Sequence, residues 1–308
     1  FPTRRSSDLA IPFMIEPDAV RESVRAEIRY ATGIEPALRG DVSVSLFPFG
    51  TATFRDVVLS DDEDAADPAL SAAQLTAQLR LLPLLRGRVE VGEVNLIRPR
   101  IAVELDEYGR SNWSRLVARL IEAASPAKRA LHGVSFSEIR LVDGTVIVRD
   151  QSGRADETFE DVGLSVAWPS ISKSFTATGQ FTWRGEKIDA TLSLSDFLAA
   201  LTGERSGLKA RIVGAPLKLA FDGHIGHRPA LKLEGMLAAD GPSLRHVLEW
   251  AGIAPLPGGG FGRFALKAQT NLVGQTIAFS GVNVELDGNA AEGVFSLTTG
   301  GRPQLQGT

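Results

Sequence analysis

The chain has 308 residues, no cysteine and a formal net charge of −4, with 33 Lys+Arg against 37 Asp+Glu. The two signs are interspersed and no window forms a basic stripe, which argues against a nucleic-acid partner. Disulfides, thiolate metal sites and cysteine nucleophiles are excluded, and no apolar run of about 18 residues is present to cross a bilayer as a helix.

Phe1 to Leu9 reads FPTRRSSDL. It fits neither a signal peptide nor a domain start and is read as foreign sequence. Ala10 to Ile15 is apolar, either the tail of a membrane helix or a buried entry strand. Asp18 to Ala31 predicts a helix, with Asp18 as N-cap, Val20, Val24 and Ile28 on one face, and Gly33 as the stop. Its mixed-charge face suits a cap on the first strands or a helix at a membrane surface.

Period-2 alternation then takes over, and it places one side-chain set on each face of a sheet. Strands are predicted over 42–46, 52–59, 75–81, 89–96 and 101–105, the last two split by Pro99. Asp61 to Asp67 is an acidic loop without the ligand spacing of a calcium loop. Pro83 to Gly87 is a turn. A second helix is predicted over 112–124, capped by Asn112 with Trp113 packed under it, and stopped by Ser125-Pro126. Strands follow at 134–141 and 145–150, with Asp143-Gly144 as a tight hairpin turn between them.

Further strands are expected at 158–167, 174–184, 187–195, 208–213, 217–222 and 230–238. A short helix is expected over 195–203. A last helix spans 242–250, with Pro242 near its first turn. Strands 261–272, 276–286 and 290–298 complete the pattern, with Asp287-Gly288 as a turn. Gly179, Gly185 and Gly235 are places where the sheet can bend or bulge. The fold class is α+β, mostly antiparallel: an elongated curled sheet with a few amphipathic helices on it.

No constellation in this pattern carries catalysis. His224 and His227 form H-x-x-H, but Gly and Pro flank them, and the pair reads as a loop rather than a helical metal site. Gly258 to Gly262 lacks the strand-before, helix-after context of a phosphate loop. No G-x-S-x-G elbow, triad or acid/base carboxylate pair stands out. No enzyme activity, cofactor or metal is expected.

Four stretches, in this order and spacing, resemble the AsmA family of bacterial envelope proteins. They are Pro12-Phe13-Met14-Ile15 with the helix to Thr32-Gly33, and Leu46-Phe47-Pro48 with Phe54 to Leu59. Next come Leu82 to Gly87 leading to Val94 to Ile101, Asp106 and Gly109 to Trp113, and finally Ile139 to Gly144. The likeness covers nearly all of Ala10 to Thr308. It is read as one domain fragment over 10–308, truncated at both ends, with an N-terminal part 10–130 and a repeated-strand part 131–308.

The resemblance implies an inner-membrane-anchored protein whose bulk lies in the periplasm, the anchor being absent from this chain. It implies a curled β-groove of the lipid-transfer type, linked to outer-membrane assembly and to phospholipid movement between the membranes. The expected partners are phospholipid or another envelope lipid, the inner membrane and envelope proteins.

A continuous apolar trough stabilises acyl chains by roughly 0.8 kcal/mol per buried methylene, without specific contacts. Alternation is equally what a half-buried sheet in a sandwich shows. The candidate groove lining is Val146, Val148, Leu192, Leu194, Leu217, Leu219 and Phe221. The alternatives are a non-catalytic scaffold that influences protein targeting to the outer membrane, and a hydrolase acting on an envelope glycan.

Overall fold

A computed structural model describes residues 21–22, 25–26, 29, 36–45, 50–59, 68–79, 91–107, 110–123, 138–150, 156–167, 174–228, 230–255, 257–298 and 304–307. The acidic loop 61–67, the turn 83–87 and the apolar stub 10–15 lie outside these residues, as does most of the first predicted helix. Of that helix, Arg21, Glu22, Arg25, Ala26 and Arg29 are described, and they are helical.

The strands are β1 (Pro36–Leu38), β2 (Val42–Ser45), β3 (Gly50–Leu59), β4 (Leu70–Leu79), β5 (Val91–Leu105), β6 (Glu138–Asp150), β7 (Asp156–Ala167) and β8 (Phe175–Trp183). They continue as β9 (Glu186–Leu194), β10 (Ser206–Gly214), β11 (Lys218–Gly226), β12 (Lys232–Gly241), β13 (Phe264–Val273), β14 (Thr276–Leu286), β15 (Asn289–Thr298) and β16 (Gln304–Gly307). Three short helices are described along their whole length: α1 (Ser114–Ala123), α2 (Phe197–Thr202) and α3 (Leu244–Trp250).

All the strands belong to one open, curled, 16-stranded sheet that does not close into a barrel. From β3 onward, spatial order follows chain order, while β1 and β2 share the free edge of β3. Every pairing is antiparallel except β5 with β6, which is parallel. Parallel neighbours need a long crossover, and α1 lies in that connection.

Two predicted interruptions and one predicted start fall inside continuous strands. Pro99 does not split a strand: β5 runs through it for 15 residues. Arg98, at φ 47°, takes the left-handed region just before it, where the pairing with β4 and with β6 is interrupted without a change of register. Asp143-Gly144 is no hairpin turn. It lies within the 13 residues of β6, with Asp143 at φ 52°. β4 starts at Leu70 rather than at 75, because its inward set changes parity from Leu70 and Ala72 to Leu75 and Ala77.

These irregularities line up. Asp56 on β3, Arg98 on β5, Asp143 on β6 and Asp161 on β7 all have positive φ, and each falls where the pairing is interrupted. On β3, Arg55 and Asp56 are both exposed, so the buried set shifts from Ala52 and Phe54 to Val57 and Leu59. β3, β4 and β5 change parity together at this step, with the same register on both sides of it, and this keeps the apolar side chains on one face. A transverse crease therefore crosses β3 to β7, and Gly281, at φ 54°, marks a further bulge in β14.

The glycines named as bend points act otherwise. Gly185 is the tip of the two-residue β8–β9 hairpin, with Arg184 and Gly185 at φ 49° and 82°. Asp287-Gly288 makes the same kind of turn between β14 and β15. Positive φ at both central residues is the turn whose twist matches the strands. Gly179 and Gly235 sit inside strands where backbones approach closely: a Cβ at Gly179 would lie 2.2 Å from the Gly163 carbonyl oxygen.

The buried core gathers on the inner face of β1 to β7, around Phe54, Val57, Leu75, Leu96, Leu141 and Val162. Trp113 packs against it and donates from Nε1 to the Ala102 carbonyl at 2.8 Å. Asn112 does not cap α1 as predicted. Its amide donates to the Ala102 carbonyl (3.0 Å) and accepts from the Glu104 N–H (3.1 Å), so it occupies β5 backbone groups instead.

Candidate functional site

The inner face is apolar from strand to strand. Directly opposed residues in a ladder share a face. Phe54 faces Leu75, Leu75 faces Leu96, and Leu96 faces Leu141 across the parallel pair. The row continues through Leu164, Gly179 and Ala190 to Ile212, Leu219 and Ala239. It ends at Leu266, Val284 and Ala291 on β13 to β15. No polar side chain interrupts it between β3 and β15.

Cover along this face is uneven. In the β1–β7 half the inner residues are closed off, with Leu75, Leu96 and Leu141 all buried. From β8 onward most are only half-buried, and Leu192 is 36 % exposed. The open stretch of the trough is therefore β8 to β15.

Of the predicted lining residues, the register places Leu192 and Leu194 on β9 and Leu219 and Phe221 on β11, on one face with β10 between them. Leu192 faces Ala210, which faces Phe221, and Leu194 faces Leu208. Val146 and Val148 share the face but lie on β6, away from the open stretch: Val146 packs against the closed core, and Val148 pairs with Glu157 near the strand ends. Leu217 precedes β11, in a turn where its carbonyl accepts from the Gly214 N–H. Alternation did not single out Ile212, Leu237 or Leu266, although all three continue the same rows.

Two helices bear on this face. Phe197 of α2 stacks on Phe175 of β8, with ring centroids 4.6 Å apart, and Phe175 pairs with inward-facing Leu194. α2 is capped by Asp196, whose Oδ1 accepts from the Ala199 N–H, and it ends on Gly203 at φ 85°. α1 contacts α2. Since its first turn follows Trp113 on the core, both helices lie on the inner side.

α3 is fixed along one rim of the trough. Ser243 is its N-cap, so Pro242 precedes the helix rather than entering its first turn. Trp250 meets Trp183 of β8 edge to face at 4.5 Å and donates from Nε1 to the Trp183 carbonyl. Arg184 at the hairpin tip donates to the Trp250 carbonyl at 2.7 Å and forms a two-point ion pair with Glu157 of β7. Trp183 also donates to Glu157 Oε2 at 2.7 Å. The Arg184 guanidinium, and then the Trp183 indole, hold the Glu157 carboxyl below the usual carboxylate range. This latch ties β7, β8 and α3 together, and residues up to 67 apart in sequence meet in it.

At the other rim, H-x-x-H is not wholly a loop. His224 belongs to β11, opposite Gly207 and Glu234, and His227 lies just beyond the strand. Gly258 to Gly262 leads into β13, which begins at Phe264 rather than at 261. Arg245 of α3 donates to the carbonyls of Gly258 and Gly260. No group of three or more His, Asp or Glu residues fit to hold a metal occurs among the described residues. Among them, too, no helix is long and apolar enough to cross a membrane.

No curated protein sequence matches the chain. The model of the AsmA family matches residues 7–240, more than half of the chain. That match is consistent with a role in the bacterial envelope and in outer-membrane assembly. With a continuous open β-sheet and the family match over most of its length, the chain belongs to the AsmA family.

Proposed function

We propose that this protein is a non-catalytic lipid carrier of the periplasm, held at the inner membrane, and that it serves outer-membrane assembly by moving phospholipid along the inner face of its sheet. One observation carries this reading: an inner face without polar side chains along its central row, half-open from β8 to β15. Such a row offers no hydrogen bonds to a polypeptide, whereas an acyl chain needs none. Transport then requires only weak, sliding contacts. A scaffold that binds no lipid is the competing reading, and it predicts a local apolar patch on the outside instead.

The test is native mass spectrometry with lipid extraction on the chain expressed in a bacterial periplasm. Stoichiometric phospholipid is expected on the wild type, and its loss on Leu192→Asp with Leu219→Asp. Both positions are only part-buried, so the fold tolerates the change better than at Phe221, which is 6 % exposed. A folded, lipid-free wild type would sink the carrier reading and favour the scaffold.

A further inference from the structure

The rim opposite the α3 latch carries a polar notch of about 400 Å³, lined by Glu204, Arg205, Ile225, Arg228, Lys232 and Glu234 among others. It lies where α2 ends and where β11 turns into β12. Resting on the carrier reading above, we propose that this notch holds the headgroup of a phospholipid whose tails lie on the inner face, and that the headgroup is zwitterionic, a phosphodiester joined to an amine.

Three features point there. The first is unmatched charge. Arg205 pairs with Glu234 at 3.6 Å. Among the described residues, Arg228 and Lys232 have no carboxylate within ion-pair distance, and Glu204 has no cation. Two free cations suit a phosphate, Arg228 with a planar fork and Lys232 as a point charge. A free carboxylate in the same notch suits an ammonium.

The second is a fixed frame. The Gly203 carbonyl accepts from both the His227 and Arg228 N–H groups, and the Leu231 carbonyl accepts from the Gly274 N–H. The turn that carries the cations is thus tied at both ends, which lowers the cost of ordering it around a ligand.

The third is continuity with the trough. Ile225 lines the notch with its side chain on the inner face, while His224, Lys232 and Glu234 alternate to the outer face, so the notch straddles the rim between the two. Ile225 heads a row that passes to Leu233, Leu272, Ile277 and Leu297. Five strands at about 4.8 Å spacing make this row about 19 Å long. One leaflet of a bilayer is about 15 Å deep, half of its hydrocarbon core, so the row accommodates an acyl chain that starts at the notch. A soluble phosphate would use the cations and leave this row unused.

The experiment titrates the full chain with phosphatidylethanolamine and phosphatidylglycerol of identical acyl chains, reading occupancy by native mass spectrometry, with inorganic phosphate in a parallel arm. Arg228→Gln with Lys232→Gln should lower occupancy by both lipids about tenfold, the scale of a lost charge-assisted contact. Glu204→Gln should lower phosphatidylethanolamine about threefold and leave phosphatidylglycerol unchanged. All three side chains are exposed, and an unchanged melting temperature checks the fold.

Lipid occupancy that the double variant does not alter overturns the notch and leaves the carrier reading standing. No lipid on the wild type overturns both. Inorganic phosphate that binds as tightly as the lipids, and is lost in the double variant, marks a soluble-phosphate site and overturns the lipid assignment. An equal effect of Glu204→Gln on both lipids, or none on either, overturns the zwitterionic headgroup.

Discussion

Pro99 and Gly144 face each other across the parallel β5–β6 pair: a Cβ on Gly144 would lie 3.0 Å from Pro99 Cγ and 3.3 Å from the Val162 carbonyl oxygen. The glycine is there because the proline ring takes the space a side chain would need. Gly144→Val should therefore destabilise the protein by about 1–3 kcal/mol through overpacking. A urea midpoint lowered with an unchanged slope would bear this out. A midpoint like that of the wild type would mean that the crease has room to open.

The crease itself depends on residues that accept the left-handed region. Asp56, Asp143 and Asp161 are short and polar, and Asn and Asp visit that region more readily than bulky or β-branched residues. Asp56→Val should cost about 1–2 kcal/mol, while Asp56→Asn should stay within about 0.5 kcal/mol of the wild type. Denaturant titration of the two variants side by side makes the comparison. Equal losses would show that the carboxylate, not the backbone, is what matters at this position.

The same crease explains what was and was not legible in the sequence. Alternation located nearly every strand, and Asp287-Gly288 was recognised as a turn because a two-residue loop follows local rules. Across Asp143-Gly144 those rules misled, since a bulge and a hairpin use the same residue pair and only the partner strand tells them apart. Parity breaks likewise hid the start of β4 and the continuity of β5. Of the lining residues, Leu192, Leu194, Leu219 and Phe221 cluster as alternation suggests. Val146 and Val148 sit apart from them because strand order, not spacing along the chain, decides which rows adjoin. The latch left no local signal: Trp183 and Trp250 are 67 residues apart.

That latch makes a pH prediction. Glu157 has a folded-state pKa held down by Arg184 and then by Trp183. A depressed carboxylate contributes stability that is fully present above its unfolded value, about 4.3, and is lost as pH falls through the folded value. Glu138, lowered by Arg140 and Ser165, adds a similar acid-side loss. The informative quantity is therefore the difference between the wild type and Glu157→Gln. That difference should be largest near neutral pH and should shrink as the pH drops below about 4. A gap that stays constant from pH 7 to 3 would mean that the ion pair with Arg184 does not stabilise the fold.

Trp250 is the part of the latch that joins α3 to the rim. It is half-buried, stacks edge-on against Trp183 and donates to the Trp183 carbonyl. Truncation to alanine removes the aromatic pair, worth about 0.5–1.5 kcal/mol beyond area burial, as well as the hydrogen bond. The β8–β9 hairpin keeps its own ladder in that variant, so the loss should be local rather than global. Hydrogen exchange should speed up at the α3 amides and at Arg184-Gly185, while β10 and β11 amides keep their protection. Faster exchange spread evenly from β8 to β13 would show instead that the rim contact holds the curl of the whole open half. In that case, on the carrier proposal, Trp250→Ala should also change lipid occupancy, because the separation of the trough's walls would have changed.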